Sequence, residues 1–530
     1  MIERQAGRGL AWLFVLALLL PVLAGCASVQ DTVNRVVAGG GTLRLATAPP
    51  ATLDPAVAQD VSSWGYLLEI FSGLVRLDDK LQVEPDIATS WTVTNGGRTY
   101  TFHLRADARF QDGRPITAPD FKYSLERALD PATRSTVAST YLGDIVGASD
   151  RLKGKATSVS GIVVVDPHTL QITIDSPKSY FLSKLTYPTA FVVDRKNVES
   201  GPNWFQHPNG SGPFAVKSWQ PDQQLVLVRN PNYYGDRPTL AEVDYYFGPD
   251  SPIGLYQQGK LDVVPVALGD IPRVTDPASP LQRQLVITPQ LSLSYIGFNV
   301  HQKPFDDPKV RLAFAYATNK QALVDGIFRG SSVVANGILP PGMPGYDPSL
   351  AGLPYDLQKA KEMLAESSYQ SGDRLLDITF SVPPGNGQIA EAFATMYHEN
   401  LGVTIDVVQL QNTFYDDLQS HRLQMFYLGW AADYPDPQDF LDILFNGTSQ
   451  SNDTGYDNAT VDALLSGAAG DSNSEQRIAR YRQAQQRIVD DAPVIPLSFD
   501  TDYELVRPGV SNLKITPMGI VSFDGVQVQG

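Results

Sequence analysis

Cysteine is almost absent from this chain of 530 residues; the sole copy is Cys26. One thiol cannot build a disulfide framework within a chain, and it rules out a zinc site made of cysteines. Histidine is nearly as scarce. Its six copies, at 103, 168, 207, 301, 398 and 421, stand singly and read as surface or core residues. His398-Glu399 lacks a second histidine one turn further on, because residue 402 is glycine, so the helix of a metalloprotease is missing. Positive charge is short as well: 41 Lys and Arg face 57 Asp and Glu, a formal charge of −16, and no basic cluster stands out. Neutralising phosphates takes clustered cations. Nucleic acid is therefore excluded as a partner.

Other signatures of chemistry are missing too. Gly210-Ser211-Gly212 lacks the spacing of a serine-hydrolase elbow, and no phosphate loop or dinucleotide fingerprint occurs. We expect no catalytic residue, no cofactor and no metal. Only paired carboxylates escape this test, since glycosidase acids are recognised by distance in the fold. An extracellular carboxylate-dependent hydrolase is thus the alternative of a different class.

Long apolar runs are confined to the N-terminus. Arg4 and Arg8 precede the apolar stretch 10–20, and Leu23-Ala24-Gly25 leads into Cys26. A basic start, an apolar run too short to span a bilayer and small residues at a cleavage point make residues 1–25 a secretory signal. Leu-Ala-Gly-Cys resembles the lipobox of bacterial lipoproteins, whose cysteine is lipid-modified and becomes the first mature residue. The expected mature protein starts at Cys26, held to the membrane by acyl chains at roughly 0.8 kcal/mol per buried CH2. Residues 26–41, small and polar with three glycines at the end, form a flexible tether.

The remaining sequence alternates strand and helix patterns. Residues 42–47 predict a strand, with Leu43 and Leu45 on one face. Asn95-Gly96-Gly97 predicts a hairpin between 91–94 and 98–104, and a second hairpin turns at 166–168. Thr117 with Asp120 predicts a helix start whose buried face is Phe121, Leu125 and Ala128. Near residue 292 the style changes: a strand over 294–299 runs into Asp307-Pro308 and a stripe of Val310, Ala313, Phe314 and Ala317. Further helices are predicted over 357–365, 389–400 and 475–490, the last capped by Ser472 or Ser474. Strands are predicted over 403–407, 425–430 and 494–499.

Four aspartates stand three residues apart at 433, 436, 439 and 442. Capping explains Asp436, ahead of Pro437, and Asp439 suits the positive end of the same helix. Asp433 lies before that helix, and capping does not explain it.

Many short segments occur in an order that resembles a known family. They include Leu53-Asp54-Pro55, the stretch 69–74 (EIFSGL), 85–91 (PDIATSW), 99–105 (TYTFHLR), 110–113 (FQDG) and 117–121 (TAPDF). Gly210-Ser211-Gly212-Pro213-Phe214, 229–234 (RNPNYY), Phe298-Asn299, 310–313 (VRLA), 430–437 (WAADYPDP) and 491–497 (DAPVIPL) follow. Together, behind a lipobox, they resemble the family 5 solute-binding proteins of bacterial ABC importers, the oligopeptide, dipeptide and nickel receptors.

The resemblance implies an α/β, two-lobed periplasmic-binding-protein-like fold of class II (cluster C), with an extra α/β domain beside the first lobe. Lobe I would comprise 42–58, 209–292 and 494–530, the extra domain 59–208 and lobe II 293–493. It further implies a monomeric, non-catalytic receptor outside the cytoplasm, anchored to the bacterial cell membrane, that hands short peptides to an ABC permease. In similar proteins the Asp of Trp-Ala-x-Asp takes the ligand's α-ammonium; here that position is Asp433. By the same resemblance the backbone of Gly429 and Ala431 is a strand edge for the ligand and Trp430 lines the cleft. Gln59 and Val61, flanking Asp60, would face the ligand's other edge, although oligopeptide receptors carry an acidic residue where this chain has Gln59. An oligosaccharide, a nickel chelate or haem are the alternative ligands within the family. A receptor that senses a peptide pheromone is not separable from a nutrient receptor by sequence.

Overall fold

The computed structural model describes residues 40–529 apart from Leu376. The expected signal 1–25, Cys26 and nearly all of the tether lie outside the described residues. Among the described residues, no helix is long and apolar enough to cross a membrane.

Local chemistry sets the element boundaries. Thr117 and Asp120 form a reciprocal cap, with the Thr117 N–H donating to Asp120 Oδ2 at 2.8 Å, and the helix Ala118–Ala128 buries Phe121, Leu125 and Ala128 as its spacing predicts. Asp307 accepts from the Lys309 N–H at 2.9 Å and opens Pro308–Ala317. Asn95, Gly96 and Gly97 all take positive φ, the left-handed turn that joins Ala88–Thr94 to Thr99–Leu104. One expected cap is corrected. The helix Ser474–Asp491 is capped by Asn473, whose Oδ1 accepts from Gln476, rather than by Ser472 or Ser474. Asn caps as well as Ser does, and Ser474 is already the first helical residue.

Two sheets organise the chain. A four-stranded antiparallel sheet comes wholly from the segment 88–173. The other sheet has twelve strands among the described residues and runs from Ile405–Gln409 at one end to Phe214–Gln220 at the other. Its middle is the thirteen-residue strand Val494–Val506. The first half of this strand pairs with Ser292–Phe298 and Ser332–Val334. Its second half pairs with Leu285–Pro289 and Val263–Pro265. One strand thus ties the C-terminal α/β body, centred on the rings of Phe298, Phe305, Phe314 and Tyr397, to the N-terminal one, centred on Leu43, Leu67, Phe214 and Val243.

The four-stranded sheet and its helices do not stand apart. A single apolar cluster joins Phe102, Phe121, Tyr141 and Tyr187 to Leu293, Tyr434 and Phe440. A backbone bond from Ser179 N–H to Ala469 O at 3.2 Å crosses the same boundary. The molecule is closed along this seam. The segment following the first strand is fixed by the helix Ala118–Ala128: Arg127 grips Asp54 with two bonds, at 2.9 and 2.6 Å, and both side chains are largely buried.

Removing one partner of a buried ion pair strands the other charge, at about 3–5 kcal/mol. Arg127→Ala is therefore expected to lower the urea midpoint by an amount equivalent to about 3 kcal/mol. A midpoint equal to wild type would show that the clamp does not hold the two segments together.

Candidate ligand-binding site

The strand Met425–Ala431 carries the site. Its first three residues are buried and apolar, and its whole length pairs antiparallel with Ser292–Phe298. On its other side the parallel strand Ile378–Val382 pairs only with Met425 and Phe426. From Tyr427 to Ala431 that edge has no strand partner among the described residues. The Ala432 N–H donates to Leu291 O at 2.8 Å, so alternate residues along the strand point their polar groups at the neighbour. Gly429 and Ala431 are the odd ones, and their N–H and C=O groups turn to the free edge. Both residues are exposed. A side chain added at Gly429 would meet nothing nearer than 3.9 Å, so open space lies beside the strand.

The chain then leaves the strand through Asp433. The Asp433 N–H donates to Asp439 Oδ2 at 3.0 Å, and the Trp430 indole N–H reaches the same oxygen at 3.3 Å. Asp439 sits in the first turn of the helix Gln438–Phe445, where its charge suits the helix dipole as expected. Its side chain does more than that, folding back to bind the end of the strand. Asp436 receives the Gln438 N–H at 2.9 Å and pairs with Arg477, which fixes the helix start. Trp430 is half-buried, packed at the edge of the core with its N–H tied down.

Asp439 is fully buried, and its Oδ1 has no hydrogen-bond partner. Part of Asp433 still meets solvent, but its carboxyl is surrounded by protein. Burial pushes both carboxyls above the ordinary aspartate range, and mutual repulsion pushes Asp439 further.

Among the described residues the Asp433 carboxyl has one side-chain partner. Tyr141, on the helix Ala138–Leu142 of the opposing domain, donates its hydroxyl to Asp433 Oδ2. Burial and the adjacent carboxylate push the Tyr141 phenol well up, so it stays a donor. Its ring stacks on Tyr187 at 3.7 Å and 8° and meets Tyr434 edge-on at 6.4 Å. Trp64 continues the stack, 5.8 Å from Tyr187. Sequence reading missed Tyr141 entirely, because a tyrosine in a short helix carries no signal of a partner 292 positions away.

Gln59 and Val61 are placed differently from the strand residues. Gln59 is exposed and accepts from Thr136 Oγ1 at 2.7 Å, a contact within its own domain. Val61 opens the helix Val61–Ile70, which Asp60 caps through the Ser63 N–H at 2.7 Å. Between the two domains a polar cleft of about 600 Å³ is lined by Thr140, Asp144, Lys184, Gln438 and Asp442. Lys178 and Lys184 hold Asp144 at 2.6 and 2.8 Å and keep its carboxyl below the usual range. Among the described residues, no group of three or more His, Cys, Asp or Glu could hold a metal ion.

Comparison with known proteins agrees with this geometry. Residues 82–452 match the model of the bacterial extracellular solute-binding proteins, family 5. The dipeptide-binding protein DppE of Bacillus subtilis is 29% identical over 495 residues, 89% of each chain. The periplasmic oligopeptide-binding protein OppA of Escherichia coli is 28% identical over 475 residues, 87% of each chain. The structure of the Escherichia coli murein tripeptide-binding protein MppA superposes with a TM-score of 0.79 at 27% identity, covering 92% of this chain and 98% of that one. With an α/β body in two parts, an extra domain and a closed seam between them, the chain belongs to the family 5 extracellular solute-binding proteins, receptors that carry no catalysis of their own.

Proposed function

We propose that this protein is the membrane-tethered receptor of a bacterial ABC importer, that it captures short peptides, and that it passes them to the permease. The observation that carries the reading is a free strand edge that ends at a buried carboxylate. An extended peptide adds to such an edge through main-chain hydrogen bonds, here with Gly429 and Ala431, which leaves its side chains unread. Its α-ammonium is the natural counter-ion for Asp433, whose present neighbours are Tyr141 and the carboxyl of Asp439. The relatives named for dipeptides, oligopeptides and a murein tripeptide support this ligand class. The lipobox-like Leu23-Ala24-Gly25-Cys26 behind an apolar run supports export and a lipid anchor on Cys26.

Asp433→Ala is expected to weaken trialanine binding by two orders of magnitude or more, from the loss of about 3–5 kcal/mol for a stranded buried charge. Its urea midpoint should stay near that of wild type. Unchanged calorimetric affinity in this variant would overturn the site assignment.

The raised carboxyl also sets a pH dependence. The unliganded folded state keeps a proton that the unfolded chain has released, so its stability falls as pH rises from the ordinary aspartate value, ~3.9, through the shifted one. The bound ammonium needs the ionised form. Peptide affinity should therefore fall on acidification, starting well above pH ~4. The Tyr141 hydrogen bond favours the ionised carboxylate, so Tyr141→Phe should move this acidic limb upward. Calorimetry across pH checks both; a flat profile down to pH ~4 would contradict them.

A further inference from the structure

A further cavity shares no lining residue with the strand site. The helix Val61–Ile70, the hairpin Val75–Leu77 with Val83–Pro85 and the C-terminal stretch 516–524 surround a cavity of about 290 Å³. Trp64 belongs to its wall and also to the ring stack that ends at Tyr141 and Asp433.

The charge in this wall is one-sided. Glu69, Asp78, Asp79, Glu84, Asp86 and Asp524 line the space, and Arg76 is the sole cationic residue among its lining. Most of these acids have partners elsewhere. Arg76 Nε binds Glu84 at 2.7 Å, and its Nη1 lies 3.8 Å from Asp524. Asp86 receives the Gly73 N–H at 3.1 Å and the Tyr234 hydroxyl, and Lys514 holds Asp79.

Glu69 has none of this. It is 7% exposed, and its buried Oε2 has no hydrogen-bond partner. The Trp64 indole N–H, on the same helix and the same wall, is equally buried and equally unpartnered. Two unpaired buried polar groups on residues that line one cavity are costly. Desolvation also pushes the Glu69 carboxyl well above its usual range, as expected for an acid lacking its cation.

We propose that this cavity binds a small organic cation, an alkylammonium with Glu69 as its counter-ion. A bare divalent metal does not fit, since it needs several oxygen ligands converging on one point, and no such group of acids occurs among the described residues. An ammonium needs one carboxylate and benefits from aromatic neighbours, and Phe71, Phe191 and Tyr233 are among the lining. The space lies at the small end of ligand pockets, ~300–1,000 Å³, so a monoamine suits it and a peptide does not.

The site is independent of the peptide reading, and the probes separate the two. Ligand-observed NMR with n-butylammonium and with n-butanol, on the intact mature protein, is the test. Butylammonium is expected to bind Asp433→Ala as it binds wild type, and n-butanol to bind about tenfold more weakly or worse. Glu69→Gln should weaken butylammonium about tenfold or more while trialanine binding persists as proof of folding. Loss of amine binding in Asp433→Ala would place the amine in the strand site and overturn the proposal. So would equal affinity for alcohol and amine, an unchanged Glu69→Gln, or no amine binding at all. Should Glu69→Gln fail to fold, the contrast between amine and alcohol in the Asp433→Ala protein decides the matter.

Discussion

A buried carboxylate at a seam between domains is the constraint on which this structure turns. Asp433 cannot sit there charged and alone, because stranding an ion in protein costs several kcal/mol. Tyr141 supplies one hydrogen bond from across the seam, and burial holds the carboxyls of Asp433 and Asp439 above the ordinary aspartate range. A neutral donor offsets only part of the cost. The remainder is a standing preference for a cation at this point. On the proposed reading, that preference suits the position to a ligand's ammonium group.

The rest of the fold serves to place that group. Met425–Ala431 is internal to the sheet at its first residues and an edge at its last, because Ile378–Val382 pairs with it only briefly. The open hydrogen-bonding positions therefore run directly toward Asp433. Asp439 binds the Asp433 amide and the Trp430 indole through one oxygen, so the turn after the strand has little freedom. Across the seam Tyr141 is held by stacking on Tyr187, and the strand Val494–Val506 links the two α/β bodies. A peptide added at the free edge would replace solvent on the outward groups of Gly429 and Ala431 without rearranging the sheet.

Much of this was legible in the residues. Strand spacing over 425–430, the Thr117–Asp120 cap and the Asp307-Pro308 helix start depend on neighbours within a few positions, and the structure has each of them. Asp433 stood out because local capping could not account for it. Tyr141 did not, since its partner is brought near only by the packing of a whole domain. Asp439 was half legible: its place in the first helical turn follows from sequence, but its turn back to Trp430 and Asp433 follows from the strand that precedes it. The Asn473 cap was missed for a smaller reason, that three adjacent residues can each cap and the winner depends on where the helix is docked.

The account is tested most directly by the ligand's own terminus. Trialanine and N-acetyl-trialanine differ in whether they bring a cation to Asp433, and calorimetry on the wild-type protein compares them without any mutation. The account predicts that the free amine binds about a hundredfold more tightly or better. Equal affinity for the two peptides would contradict it.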